Sequence, residues 1–155
     1  MNTETQYALL SDYVYSRSAA NNEFDLTKLI PGAVPILTMT VASSGFYAEA
    51  WTIGGKTVIA FRGTDFNAQS ITIDFTQGND GLAWGNVNTA QLQNAIPFVQ
   101  QVKQQTGATN LVFTGHSLGG GLAGLMAPKY GQPAYVFAPA PPADAGADPL
   151  RLSGV

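Results

Sequence analysis

Apolar residues keep a helical rhythm at the start of the chain. Tyr7, Leu10 and Val14, joined by Leu9 and Tyr13, mark one face of an amphipathic helix over residues 3–19, with Thr3 to Gln6 matching a capping box and Asn21-Asn22 ending it. The rhythm is lost over residues 24–43, where Pro31-Gly32 and Pro35 break any long element, so a loop with one short strand near Ile36 to Val41 is expected. Alternation then appears from Phe46 to Ile53, Gly54-Gly55 gives a two-residue turn signal, and Thr57-Val58-Ile59-Ala60-Phe61 is a continuous apolar run. This pattern predicts a β-hairpin whose second strand is buried on both faces. Residues 64–88 have no clean period yet carry Phe66, Ile71, Ile73, Phe75, Leu82 and Trp84. A long irregular segment inside a compact domain is more often functional than idle.

The helical period returns with Leu92, Ile96, Val99 and Val102, with Asn88 as the cap, Pro97 as a kink and Gly107 as the stop. Residues 110–114 read as a strand, 117–130 as a helix and Ala134 to Ala138 as another short strand. Strands alternating with helices imply parallel neighbours, hence an α/β sheet of about five strands, parallel after an initial hairpin and flanked by helices. The composition turns Pro- and Ala-rich at Pro139, so residues 139–155 are expected to be a loop or linker-like tail on a single domain spanning 1–155.

Composition narrows the partners. Charged residues make up 11% of the 155 and the net charge is -3, with no run of Lys and Arg, so no nucleic acid partner is expected. The absence of cysteine removes a disulfide framework, a thiolate metal site and a thiol nucleophile together. Met-Asn-Thr-Glu-Thr-Gln lacks the positive and apolar regions of a signal peptide, and no apolar stretch approaches the roughly 20 residues needed to span a bilayer. Secretion would require an address encoded elsewhere.

The chemistry concentrates in Leu111-Val112-Phe113-Thr114-Gly115-His116-Ser117-Leu118-Gly119-Gly120-Gly121, a β-prone run, a Gly-x-Ser-x-Gly turn and small residues opening a helix. The five-residue pattern is short, and among 17 glycines a chance match has odds on the order of one in ten. Its setting between a strand and a helix makes it a candidate nucleophile elbow, in which the flanking glycines let the serine sit on a sharp turn. Ser117 is then the nucleophile, and the Leu118 N–H at the helix start is a donor for a developing oxyanion. The alternative is that Ser117 is an ordinary helix cap beside a flexible turn.

Val58-Ile59-Ala60-Phe61-Arg62-Gly63-Thr64, followed by Gly115-His116-Ser117-Leu118-Gly119-Gly120, resembles the class 3 lipases of the α/β-hydrolase fold in both motifs and in their order and spacing. The resemblance covers about residues 45–140 and implies an incomplete α/β-hydrolase-like sheet. It implies a serine carboxylic-ester hydrolase (triacylglycerol lipase, phospholipase or esterase) working through an acyl-enzyme without metal or organic cofactor. It places the second oxyanion donor at Thr64, a structural aspartate at Asp74 and a lid over Asp65 to Trp84, whose apolar residues would suit a lipid interface or else pack on the sheet.

The chain departs from the family in what it lacks. His116 is its only histidine, and as the direct neighbour of Ser117 on a sharp turn it is poorly placed to act as the base. Residues 81–86 also lack the histidine and Gly-Phe that family members often carry there. The family order of serine, acid and histidine leaves Asp144 and Asp148, the only acids after Ser117, as candidates for the catalytic acid, although in a Pro- and Ala-rich loop the usual task of Asp is turn formation. Asp65 and Asp80 read as turn and surface residues, and Arg62 as an anchor for the loop that follows. Three readings therefore stay open: the N-terminal part of a longer lipase or esterase, a non-catalytic α/β-hydrolase-like binding domain, and a minimal hydrolase using another base. Oligomeric state is not legible.

Overall fold

Helix α1 (Thr3–Ser16) begins where its sequence pattern placed it, but the cap is Asn2 and not Thr3. The Asn2 Oδ1 accepts from the Thr5 N–H at 2.8 Å and from the Thr5 hydroxyl at 2.7 Å, satisfying a backbone donor that has no intrahelical partner. The computed structural model describes residues 1–16, 25–63 and 90–139. The end of the first predicted helix, the Asn88 cap, the segment 64–89 and the tail from residue 140 lie outside them.

Residues 24–43 hold more structure than their broken pattern suggested. Asp25 caps a single helical turn, α2 (Leu26–Leu29), by accepting from the Thr27 N–H at 3.1 Å. The Thr27 hydroxyl donates to the same carboxylate at 2.7 Å and helps hold its pKa below the ordinary value. Strand β1 runs from Val34 to Val41, two residues longer at its start than expected, and it includes Pro35. Proline is tolerated there because β1 is an edge strand and its register shifts between Pro35 and Leu37.

A short 3-10 turn over Ala42–Ser44 leads into β2 (Phe46–Ile53), which pairs antiparallel with β3 (Lys56–Phe61) through the Gly54-Gly55 turn. Both turn glycines have positive φ, 57° and 76°, as a two-residue hairpin loop requires. Helix α3 (Ala90–Thr106) continues through Pro97 and leads to β4 (Leu111–His116); α4 (Leu118–Tyr130) then leads to β5 (Ala134–Phe137). The sheet order is β1-β2-β3-β4-β5, antiparallel over the first three strands and parallel over the last three.

The two-residue period of the strands splits the core into two layers. Phe46, Ala48, Ala50, Ile59, Phe61, Leu111 and Phe113 face α3 and α4, where they meet Phe98, Val99, Leu122 and Met126. Tyr47, Trp51, Ile53, Val58, Ala60 and Val112 face Leu10, Tyr13 and Val14 of α1. Glu49 lies on this second face, 1% exposed, accepting from the Trp51 indole at 2.6 Å and from the Tyr47 hydroxyl.

Helix α1 is tied to the central strand by buried hydroxyls. Ser11 and Thr114 are 2.8 Å apart, and each also lies 2.8 Å from a carbonyl, Ser11 from that of Tyr7 and Thr114 from that of Tyr135. Two protons serve these three contacts, so one hydroxyl donates to the other and the second passes its proton to a carbonyl. Tyr7 packs edge-on against Tyr135 with ring centroids 4.9 Å apart; burial, then the neighbouring phenol, raises its pKa. Thr114→Val is expected to lower the unfolding free energy by about 1–2 kcal/mol, because it strands buried polar partners without changing side-chain shape. A urea midpoint indistinguishable from wild type would contradict this account of the α1 anchor.

Candidate active site

Strand β4 runs to His116, two residues past its expected end, and α4 begins at Leu118, so Ser117 alone makes the turn. Its backbone adopts φ 54°, ψ -124°, a conformation that costs an L-residue on the order of 1–3 kcal/mol and persists only where the surroundings impose it. Its N–H donates to the Phe137 carbonyl at 3.1 Å, and its own carbonyl accepts from the Gly121 N–H at 3.0 Å, opening α4. Although Ser117 occupies the N-cap position, its side chain makes no capping hydrogen bond. The cap reading of this serine therefore fails, and the hydroxyl is left at the half-buried mouth of a helix N-terminus.

The neighbouring glycines explain why the turn fits. A β-carbon on Gly119 would strike the Phe61 carbonyl and stand 2.8 Å from its carbon and 2.9 Å from that of Arg62. One on Gly115 would run into the Gly119 backbone and come within 2.8 Å of the Gly120 nitrogen. The Gly-x-Ser-x-Gly spacing thus lets α4 start directly against the ends of β3 and β4. Buried Leu118, first residue of α4, lies where its N–H is one of the donors without an intrahelical acceptor.

His116 is exposed and turned toward α1, with its Nδ1 3.0 Å from the Tyr15 hydroxyl and the two rings edge-on at 5.8 Å. Arg62 donates from Nη2 to the Gly45 carbonyl at 3.1 Å and covers the Tyr47 ring at 5.1 Å, in keeping with an anchor at the exit of β3. The structure brings Ser117 and Leu118 together; Thr64, Asp144 and Asp148 lie outside the described residues, as do the segment 65–84 and Asp65, Asp74 and Asp80. Sequence reasoning missed Tyr15, which flanks the elbow together with Gly63 of the Arg62-Gly63-Thr64 motif. Tyr15 carries no local signal, since its contact with His116 joins segments about 100 residues apart. Among the described residues no group of His, Asp and Glu is gathered as a metal site, and no helix is long and apolar enough to cross a membrane.

A parallel strand, a serine held at positive φ and a helix starting on the next residue, within a sheet of this order, define an α/β-hydrolase of the lipase type. Within that class the chain belongs to the Tle-like phospholipase domain family, whose model matches residues 6–143. Its fold is also that of fungal lipases. It superposes on the lipase of Rhizopus microsporus var. chinensis with a TM-score of 0.54 at 20% identity, over 86% of this chain and 55% of that one. A fungal lipase–inhibitor complex gives 0.55 at 21% identity over 82% and 53%, and a triacylglycerol lipase whose catalytic centre is a serine protease triad gives 0.53 at 23% over 83% and 54%. The chain spans about half the length of these lipases. No curated protein matches its sequence.

Proposed function

We propose that this chain carries the nucleophile of a lipid-ester hydrolase. Ser117 attacks the ester carbonyl carbon while its hydroxyl proton passes to a base, and the N–H groups of Leu118 and Thr64 hold the resulting oxyanion. Collapse of that intermediate expels the alcohol, which takes up the proton, and leaves an acyl group on Ser117. Water, deprotonated by the same base, then releases the carboxylic acid and restores the hydroxyl. The single histidine, His116, turns toward Tyr15 of α1 and is not the base in this scheme. Asp144 and Asp148 take no part in this scheme.

The observation that carries the reading is the conformation of Ser117, whose strained φ serves no capping bond and presents the hydroxyl beside a helix N-terminus. Membership of a phospholipase-like family supports a lipid ester as the substrate class. The test is labelling with a fluorophosphonate of the protein as its host makes it, followed by tryptic mapping. The adduct is expected on the peptide from Gln104 to Lys129, at Ser117. Labelling elsewhere, or none in the native protein, would favour the non-catalytic binding domain.

A further inference from the structure

Three stretches of chain distant in sequence meet at one hydroxyl beside the elbow. The Tyr15 O–H, in the last turn of α1, donates to the His116 carbonyl at 3.2 Å and lies 3.0 Å from the His116 Nδ1. Tyr15 has a single proton, so both contacts are hydrogen bonds when His116 carries its proton on Nδ1 and donates it to the phenol oxygen. The third stretch is the exit of β3, where Gly63 passes so closely that a β-carbon there would strike the Tyr15 hydroxyl and stand 2.6 Å from the His116 carbonyl oxygen.

The peptide group joining His116 to Ser117 is therefore fastened at both ends. Tyr15 holds its carbonyl, and the Phe137 carbonyl holds its N–H at 3.1 Å. The φ of Ser117 is a rotation measured from that plane, so fixing the plane fixes the direction in which the serine hydroxyl leaves the backbone. Gly63 precedes Thr64, and the same phenol limits how near the β3 exit comes to the elbow.

We propose that Tyr15 is a positioning residue for ester hydrolysis, setting both the orientation of Ser117 and its separation from Gly63 at the exit of β3. This rests on Ser117 being the nucleophile. A phenol acting this way lowers the barrier without touching substrate, so its loss falls on kcat and leaves KM nearly unchanged.

The test compares Tyr15→Phe, Ser11→Ala and Ser117→Ala in the full protein from its host, with p-nitrophenyl butyrate as substrate. Rates of the wild type and the first two variants are expressed per phosphonate-titratable serine, and that of Ser117→Ala per mole of protein. Titration counts only folded, competent sites, so a partly unfolded variant still gives a reading. Ser11→Ala loosens the same contact between α1 and β4 without reaching the elbow, and separates positioning from general weakening of the helix. Tyr15→Phe is expected to lower kcat about tenfold, the rate equivalent of one hydrogen bond, with KM within about twofold of wild type. Ser11→Ala is expected to keep kcat within about twofold. An unchanged kcat in Tyr15→Phe, or an equal loss in both variants, overturns the positioning role while leaving the nucleophile intact. Hydrolysis that is absent in the wild type or survives Ser117→Ala overturns the nucleophile and this inference with it.

Discussion

Ser117→Gly is expected to yield a protein that is inactive and more stable than the wild type. The serine holds φ 54°, ψ -124° at the turn between β4 and α4. Glycine enters that region without a β-carbon penalty, which removes on the order of 1–3 kcal/mol of strain, against about 0.5–1 kcal/mol for the freer unfolded chain. A net gain of about 1 kcal/mol remains from these opposing terms. Hydrolysis should fall by about a million-fold, as removal of a nucleophilic serine does elsewhere. Ser117→Ala separates the two effects, since it is equally inactive yet keeps its β-carbon and hence the strain. Urea unfolding of the three proteins checks the order; a glycine variant less stable than the alanine variant would mean that no strain resides at this turn.

The second large effect comes from applying one substitution at two positions of α4. At Gly119 a methyl group enters the backbone of Phe61 and Arg62, which cannot swing aside as a side chain would. Gly119→Ala is expected to cost about 3 kcal/mol, the upper end for overpacking, because either α4 or β3 must shift. At Gly124 a β-carbon meets nothing within 4 Å, and the residue is exposed within the same helix. There alanine should gain up to about 1 kcal/mol from helix propensity. The comparison is read from denaturant midpoints. Equal shifts at both positions would show that the close approach of α4 to β3 does not limit the fold.

What was legible in the sequence follows the range of the interactions that determine it. The hairpin from Phe46 to Phe61 was readable to within a residue, because alternation and two adjacent glycines are local signals and the structure uses both. The parallel order of β3, β4 and β5 followed from intervening helices that force crossovers. The region from Asp25 to Val41 was underestimated. A four-residue helix has no period to detect, and the proline in β1 reads as a breaker unless the strand is known to lie at the edge. Ser117 and Leu118 were nameable because the elbow is encoded in five consecutive residues. Tyr15 was not, since a phenol in α1 meets the elbow only when α1, β3 and β4 are brought together.

The anchoring of α1 by Ser11 and Thr114 also sets the order in which the molecule is assembled. The two residues are 103 apart in sequence, and Tyr15 and His116 are 101 apart. Closing a loop of that length costs about 4 kcal/mol in chain entropy before either contact forms. Helix α1 is synthesised before the sheet, and its partners on β4 appear only after β1, β2 and β3 have been made. Tyr7, Leu10 and Val14, buried in the folded protein, gain their cover only with that docking, which is expected late in folding. The serine turn is thus completed by a segment synthesised about 100 residues ahead of it, so a change that delays the docking of α1 is expected to reach the site through the timing of that contact.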